Sequence, residues 1–356
     1  MRKLLIIDKN PYGVLIDTYK YCQYLQNHFD ITYLCVDYGY PKMDPGRVTV
    51  KYVPYTSSRL FRGIAFTLLT LYNVSIFKGF IFVSYYPGCD LLKRVLFWKK
   101  MHLDIRTLSV SSNEFEREKW NRLLNKSILY FDSISVISEG IKEMLNIPAN
   151  KRSFILPLGA DIISSSPKNF DKLRLLYVGT LNNRRIIDTI IGFHNFVKEH
   201  PDKDIHYTII GDGEELAEIK RYVDNNRLRS KVEVKGRLLY TELKPYFDYC
   251  NIGVAYVPIT EYYQYQPPTK TFEYILSGLF CLATSTFENR KIVNTTNGVL
   301  HEDSSEAFSE ALECVLRKMK SLDSNKIRDS LVGCTWYDIV YNYVLPLLNS
   351  GDNINK

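Results

Sequence analysis

Strand-like and helix-like segments alternate along this chain in two successive series, and that alternation restricts the fold to parallel sheets covered by helices. The first series runs through KLLIID (3–8), ITYLCVD (31–37), VTVKYVP (48–54), GFIFVSY (79–85), HLDIRTL (102–108) and SISVIS (133–138). RSFILPLGAD (152–161) interrupts it, and the polar stretch ISSSPKNFDK (163–172) reads as a linker. A second series follows with LRLLYVG (173–179), IHYTIIG (205–211), KVEVKG (231–236), IGVAYVP (252–258) and LFCLAT (279–284). Helices are expected between these runs over 187–199, 214–225 and 241–248, and from 269 onward. The expected fold class is therefore α/β, with two Rossmann-like domains in tandem. At 356 residues and 46% hydrophobic, the chain is long enough to give each domain its own core.

The charge is uneven. The first 165 residues carry 22 Lys+Arg against 14 Asp+Glu, and the remainder 24 against 25. The basic excess therefore belongs to the first half, which suggests an anionic partner: nucleic acid, a lipid headgroup surface or a phosphorylated acceptor. The stretch IAFTLLTLYNVSIF (64–77) is too short to span a bilayer. Arg59, Arg62 and Lys78 flank it, and LLKRVLFWKKMH (91–102) mixes Lys93, Arg94, Lys99 and Lys100 with Leu, Phe and Trp. Two readings fit: a helix lying on an anionic membrane surface, or a buried helix beside a solvated basic face.

Seven cysteines, Cys22, Cys35, Cys89, Cys250, Cys281, Cys314 and Cys334, are scattered without CxxC or Cys/His metal spacing and read as reduced core thiols. The opening apolar run is only LLII before Asp8, too short for a signal-peptide core, so a cytoplasmic protein is expected.

In open parallel sheets ligands bind beyond the carboxyl ends of the strands. Those positions carry LNNRR (181–185), GDGEE (211–215), PITEYYQYQPPTK (258–270) and STFENRK (285–291). Lys270 is the informative residue. If Thr269 caps a helix, Lys270 enters its first turn, where the helix dipole disfavours a cation unless an anionic ligand shares that end. Phe272, Ile275, Leu276 and Leu279 fall at core-facing spacing, Lys270, Glu273 and Ser277 fall on another line, and Gly278 supplies a helix stop. Gly179, Gly211 and Gly213 would let backbone approach a ligand, while Arg185 and Lys270 would meet one diphosphate and Glu273 would accept from ribose hydroxyls. The plain alternative is a surface Lys270/Glu273 pair worth a few tenths of a kcal/mol.

LLYVGTLNNRRIIDTI, the GDG block TIIGDGEELAEIKRYVDNNRLRSKVEVKGRL and PPTKTFEYILSGLFCLAT together resemble the donor domain of the GT-B-fold glycosyltransferases of family 4. PLGAD (157–161) resembles the end of that family's first domain, and TWYDIVYNYVLPLL (335–348) resembles its C-terminal helix. The resemblance implies an acceptor domain over 1–162, a donor domain over 163–334 facing it across a cleft, and a segment 335–356 packing back on the first domain. It further implies transfer of a sugar, with retention, from a nucleotide-diphosphate sugar to a glycan or lipid-linked acceptor in bacterial surface polysaccharide synthesis. Nucleic acid is then not expected as a partner.

Arg185, Lys270 and Asp104 would be catalytic, and Gly179, Thr180, Gly211, Gly213, Tyr265, Thr269 and Glu273 would hold the donor. Gly13, following Pro11-Tyr12, and Arg106, in LDIRT with Asp104, would line the acceptor side; a simple turn and a buried structural salt bridge are the alternatives. Two departures from the family pattern stand out: Thr180 occupies a position often basic, and Tyr265 a position often glutamate, associated in the family with the donor sugar. With no Asp-x-Asp after a donor-half strand, neither metal nor cofactor is expected, since fixed cations can serve the diphosphate. His102 and His194 have no second ligand or base in view and receive no role. A nucleotide-sugar epimerase and a non-catalytic nucleotide-sugar-binding protein remain as alternatives.

Overall fold

In the computed structural model, which describes residues 1–350, the apolar runs of the first series become parallel strands with helices between them. In chain order these are β1 (Arg2–Ile7), α1 (Ile16–Leu25), β2 (Phe29–Val36), β3 (Thr49–Val53), α2 (Arg59–Ile76), β4 (Phe80–Ser84), α3 (Asp90–Val95), β5 (His102–Ile105), α4 (Glu114–Ile128), β6 (Ser133–Val136), α5 (Glu139–Met144) and β7 (Arg152–Ile155). The strands assemble in the order β3-β2-β1-β4-β5-β6-β7, all parallel. One compact unit comprises Met1–Gly159 and the chain from Trp336 onward.

The return of the C-terminal segment to this unit has a local cause. Trp336 is buried against Gly159, where even one added carbon would lie 2.5 Å from the indole. Burial of an aromatic side chain of this size contributes about 3 kcal/mol. Further along, the Tyr341 ring meets Tyr24 and His28 of the first unit. The segment is helical with one π-turn at Val340–Val344.

The second unit, Ala160–Thr335, contains β8 (Leu173–Val178), α6 (Ile186–Glu199), β9 (Ile205–Ile210), α7 (Leu216–Asn225), β10 (Val232–Gly236), α8 (Lys244–Tyr249), β11 (Ile252–Ala255), α9 (Thr269–Leu276), β12 (Phe280–Thr284), α10 (Phe287–Ile292), β13 (Gly298–His301), α11 (Ser305–Lys318) and α12 (Ser324–Asp329). Its strand order is β10-β9-β8-β11-β12-β13, again all parallel. Every residue of β8, β11 and β12 is buried, as strands covered on both faces require.

Three expectations are corrected. Residues 163–172 are not a free linker but pack on the second unit: the Ile163 and Ser164 amides donate to the Ser277 hydroxyl, and Lys168 donates to the Phe247 carbonyl. The stretch around 64–77 is not a buried helix. Only Phe66, Thr70, Asn73 and Val74 of α2 are buried, and Leu60, Ile64, Leu68, Tyr72 and Ile76 form an exposed stripe at four-residue spacing. Strands β7 and β13 were not anticipated because each is four residues long, only partly buried, and gives no apolar run of its own.

Candidate functional site

In the second unit the strand order reverses between β8 and β11, which makes the crevice beyond their carboxyl ends the expected ligand position. Gly179, Thr180 and Arg185 follow β8, whereas Tyr265, Thr269, Lys270 and Glu273 follow β11 on the loop 256–268 and on α9. Gly211 and Gly213 follow β9, the other neighbour of β8. Chain topology thus gathers every residue assigned to the donor at one end of one sheet.

Helix α9 differs from expectation at its start. Pro268 is the N-cap residue, in extended backbone, and Thr269 is already the first helical residue, so Thr269 is not the cap. No side chain caps this end, and no acidic residue lies in its first turn. The helix closes as anticipated at Gly278 (φ +77°), where the Gly278 and Leu279 amides donate to the Ile275 and Tyr274 carbonyls, each at 2.9 Å.

Lys270 donates to the Glu273 carboxylate one turn along. This is not a surface pair: the side chain of Glu273 is 5% exposed and that of Lys270 27%. No polar face is turned to solvent, because Thr271–Leu276 are all buried. Burial raises the Glu273 carboxyl above its ordinary range, and the Lys270 ammonium pulls it back toward the ionised form.

Two residues with no assigned role complete this cluster. The Tyr240 hydroxyl donates to Asp161 at 3.0 Å and lies 3.4 Å from Glu273, and the Lys270 ammonium sits 5.6 Å from the centre of the Tyr240 ring. Burial and the two carboxylates push that hydroxyl far above its usual titration range. The available signals were the Asp161 that ends PLGAD and the position of Tyr240 just past β10.

Arg185 is held elsewhere. It has left-handed backbone (φ 53°, ψ 39°) at the start of α6, and its guanidinium pairs with Asp188 at 2.6 Å and Asp303 at 3.0 Å. Asp188 also accepts from the Tyr256 hydroxyl, and Asp303 from the Ile259 amide, so Arg185 ties the loop after β8 to the loop after β11. Lys270 and Arg185 therefore have separate carboxylate partners and are not joined by a hydrogen bond. Next to it, Arg184 lies over the Tyr263 ring at 4.4 Å.

The two helix starts at this sheet end contrast sharply. At α6 the Glu215 carboxylate accepts from the amides of Arg184, Arg185 and Ile186 at 2.7, 3.0 and 2.8 Å, so the chain's own anion fills that end. At α9 the first turn carries Lys270 instead, and no side chain caps it. At α6 an added anion would have to displace Glu215, whereas at α9 no side-chain anion stands in the way, although the Thr271 amide already donates to the Pro268 carbonyl.

Packing within the chain explains the glycines. A side-chain carbon at Gly211 would lie 2.0 Å from the Gly179 carbonyl oxygen, and one at Gly213 would lie 2.6 Å from both Leu181 and Asn182. The backbone that approaches closely is therefore the chain's own, not only a ligand's. The Thr180 carbonyl accepts from the Tyr177 hydroxyl, and the Tyr265 ring packs 5.0 Å from that of Phe287.

In the first unit, Gly13 (φ +90°) ends a turn closed by the Val14 amide on the Pro11 carbonyl and packs against Met43. Asp104 is fully buried, and Arg106 nearly so. Arg106 donates to Asp17 on α1 and, at 2.7 Å, to the Leu156 carbonyl, while its Nε lies 3.9 Å from Asp104. Asp104 accepts from Ser135, whose hydroxyl also meets His102. A carboxylate so enclosed touches no substrate, so the catalytic assignment of Asp104 and the cleft assignment of Arg106 are corrected to an internal brace between β5, α1 and the chain beyond β7. At the carboxyl end of β1 the unassigned Asp8 is likewise buried, accepting from Asn10, Thr18 and Tyr33.

Residues 172–318 match the family model described as glycosyl transferases group 1. No curated protein matches the chain by sequence. Among solved structures, sucrose-phosphate synthase from Thermosynechococcus elongatus superposes with a TM-score of 0.76 at 14% identity, covering 100% of both chains. The Anabaena protein HepE in complex with UDP and glucose gives 0.74 at 10% identity over 98% of this chain and 99% of its own. The lipopolysaccharide outer core galactosyltransferase WaaB gives 0.68 at 16% identity over 96% and 99%. Residues 172–318 thus form a glycosyl transferases group 1 domain, and the chain as a whole has the GT-B fold of glycosyltransferases.

Proposed function

We propose that the protein is a glycosyltransferase that moves a hexosyl group from a nucleotide-diphosphate sugar to a lipid-linked glycan acceptor in the synthesis of a bacterial surface polysaccharide. The observation that carries this reading is the contrast between the two helix starts: α6 is closed by Glu215, while α9 offers uncapped amides beside Lys270. A diphosphate is the anion that fits there. One donor of the Lys270 ammonium goes to Glu273, which leaves two for a phosphate. Glu273, ionised against Lys270, accepts from ribose hydroxyls, and the Tyr240–Asp161 pair fixes its position. The crystallised complex of HepE with UDP and glucose supports a nucleotide sugar as donor.

As the sugar leaves, negative charge develops on the terminal phosphate, and preorganised donors at α9 stabilise it most in the transition state. Transfer proceeds with retention and without a metal or cofactor. The protein works on the cytoplasmic side of a membrane.

Calorimetric titration with UDP, GDP, ADP, CMP and dTDP, with and without EDTA and repeated on Lys270→Ala, tests the donor site. Selective, EDTA-resistant binding that weakens in the variant is expected. Transfer of labelled sugar to membranes then separates an enzyme from a protein that only binds the nucleotide sugar, and isomerisation without acceptor would identify an epimerase instead.

A further inference from the structure

Among the exposed hydrophobic side chains of the first unit, a row of five lies on one helix. Leu60, Ile64, Leu68, Tyr72 and Ile76 recur every fourth residue along α2 in a row that winds slowly about the helix, each at least half exposed. Beyond α3, which packs beside α2, Phe97 and Trp98 project with 73% and 59% exposure, their rings meeting edge to face at 5.1 Å. Isolated exposed apolar residues need no explanation, but a helix-long row with an aromatic pair at its side does.

The aromatic turn is built rigidly. Lys93, itself 7% exposed, donates to the carbonyls of Phe97 (3.0 Å) and Lys99 and pairs with Asp132 at 2.9 Å. From the other side Lys99 donates to the carbonyl of Phe77, the residue that follows α2, at 2.9 Å. A buried cation and a second lysine thus fix the backbone that displays Phe97 and Trp98 and join it to the end of the α2 stripe.

Beside that junction, at the amino ends of β1, β4, β5 and β6, lies a cavity of about 380 Å³. Its lining combines Lys3, Lys78 and Lys100 with apolar groups that include Phe80, Met101 and Leu348, and the one carboxylate in it, Asp132, is paired with Lys93. Lys78 lies two residues past the end of α2, and Lys100 two residues past Trp98, so both apolar elements lead directly into a cation-rimmed hollow. Arg59 and Arg62 bracket the other end of the stripe.

We infer that this face lies on an anionic phospholipid bilayer, with the α2 stripe and the Phe97–Trp98 turn entering the interface and Lys3, Lys78 and Lys100 taking headgroup phosphates at the cavity mouth. Charge complementarity selects this occupant: an apolar row bracketed by cations matches acyl chains bordered by phosphates. The cavity and the Phe97–Trp98 turn lie at the amino ends of β1, β4, β5 and β6, and α2 reaches them from the carboxyl-end side of the sheet, where Arg62 sits over the rings of Tyr38 and Tyr55. The inference deepens the acceptor side of the function proposed above and rests on that reading only for the lipid-linked acceptor.

The test is sedimentation of the full chain, without nucleotide, with vesicles of phosphatidylcholine alone or mixed with phosphatidylglycerol. Binding to the mixed vesicles that falls with added salt is expected. Lys78→Gln and Lys100→Gln should each weaken it about fivefold, and Phe97→Ser with Trp98→Ser more than about tenfold. UDP titration and unfolding midpoints of the variants should match those of the parent. Equal binding to neutral vesicles, no binding to either, or indifference to these substitutions overturns the inference. So does a lipid-free dimer, seen by light scattering, that Leu68→Glu converts to monomer, since a second copy would then cover the stripe. Vesicle binding and nucleotide binding are read separately, so failure of one is distinguishable from failure of the other.

Discussion

Lys270 and Glu273, one turn apart on α9, form a buried hydrogen-bonded ion pair whose carboxylate also lies 3.4 Å from the Tyr240 hydroxyl. A lysine in the first turn of a helix opposes the dipole. The neighbouring carboxylate offsets that cost within the chain, and in the proposed function a ligand phosphate offsets it further. Lys270→Ala should therefore lower transfer by more than about tenfold, equivalent to about 1.4 kcal/mol of lost transition-state stabilisation. It should also weaken nucleotide binding in calorimetry. Rates close to those of the parent would remove Lys270 from the phosphate site.

Glu273→Ala carries a second consequence. It should reduce transfer by more than about tenfold for want of a ribose acceptor, and it also leaves a partly buried ammonium without its anion. Glu273→Gln keeps the shape and loses the charge. If the carboxylate serves mainly to hold Lys270, both variants should lower the unfolding midpoint alike; if it serves the ribose, Glu273→Gln should retain more affinity than Glu273→Ala.

Glu215 gives the sharpest separation between a structural carboxylate and a ligand-binding one. It accepts three amide hydrogen bonds at the start of α6, one of them from Arg185. Glu215→Ala should cost about 1–2 kcal/mol of stability through lost capping. Nucleotide affinity should stay within about twofold if the phosphate binds at α9 as proposed. Tighter nucleotide binding by this variant would show that α6 competes for the same ligand.

Long, evenly spaced features were readable before any coordinates: the strands of the second unit, the approach of Lys270 to a helix start, and the stop at Gly278. Topology alone then placed Gly179, Arg185 and Lys270 at one sheet end. What escaped depends on contacts between segments far apart in sequence. Nothing local reveals that Tyr240 reaches Asp161, 79 residues earlier, or that Glu215 closes the helix that begins at Ile186. Asp104 was misassigned for the same reason. The family resemblance suggested a cleft; the alternative, a buried salt bridge with Arg106, is what forms, and the residues that enclose it are distant, Ser135 lying 31 residues from Asp104 and Asp17 lying 89 residues from Arg106. The α2 stripe was ambiguous because a helical row of apolar residues has the same spacing whether it faces a core or a membrane.

Gly211 is expected to be intolerant of any side chain for reasons independent of catalysis. An added carbon would lie 2.0 Å from the Gly179 carbonyl oxygen, a backbone atom fixed between β8 and β9 that cannot rotate away. Gly211→Ala should therefore destabilise the protein by about 3 kcal/mol through overpacking. Gly236→Ala should cost less, since no atom lies within 4 Å of the added carbon, although its φ of +75° leaves some backbone strain. Denaturant unfolding of the two variants ranks them, and the reverse order would refute the packing role of Gly211.

The buried polar chain of the first unit sets an acid sensitivity whose sign can be worked out. Burial, reinforced by Arg152, holds the His102 imidazole down to about 3 from 6.5. Ser135 gives its proton to Asp104 and so accepts from His102 Nε2, which leaves Nδ1 to accept from Ser133 at 2.8 Å in a neutral ring. Below about pH 6.5 the unfolded chain takes up a proton on this residue that the folded chain refuses, so stability is lost as pH falls toward 3. Asp104, pushed up to about 6 by burial, acts in the opposite direction: the folded chain keeps a proton that the unfolded one releases, and stability falls as pH rises from about 4 to 6. His102→Gln removes the first contribution and leaves the second. The stability of the parent relative to this variant should therefore grow by on the order of 3 kcal/mol between about pH 4 and 6.5, read from denaturant unfolding at each pH. A difference that stays constant with pH would mean that the ring is charged inside the fold and that the Ser133–His102–Ser135–Asp104 chain runs with different protons.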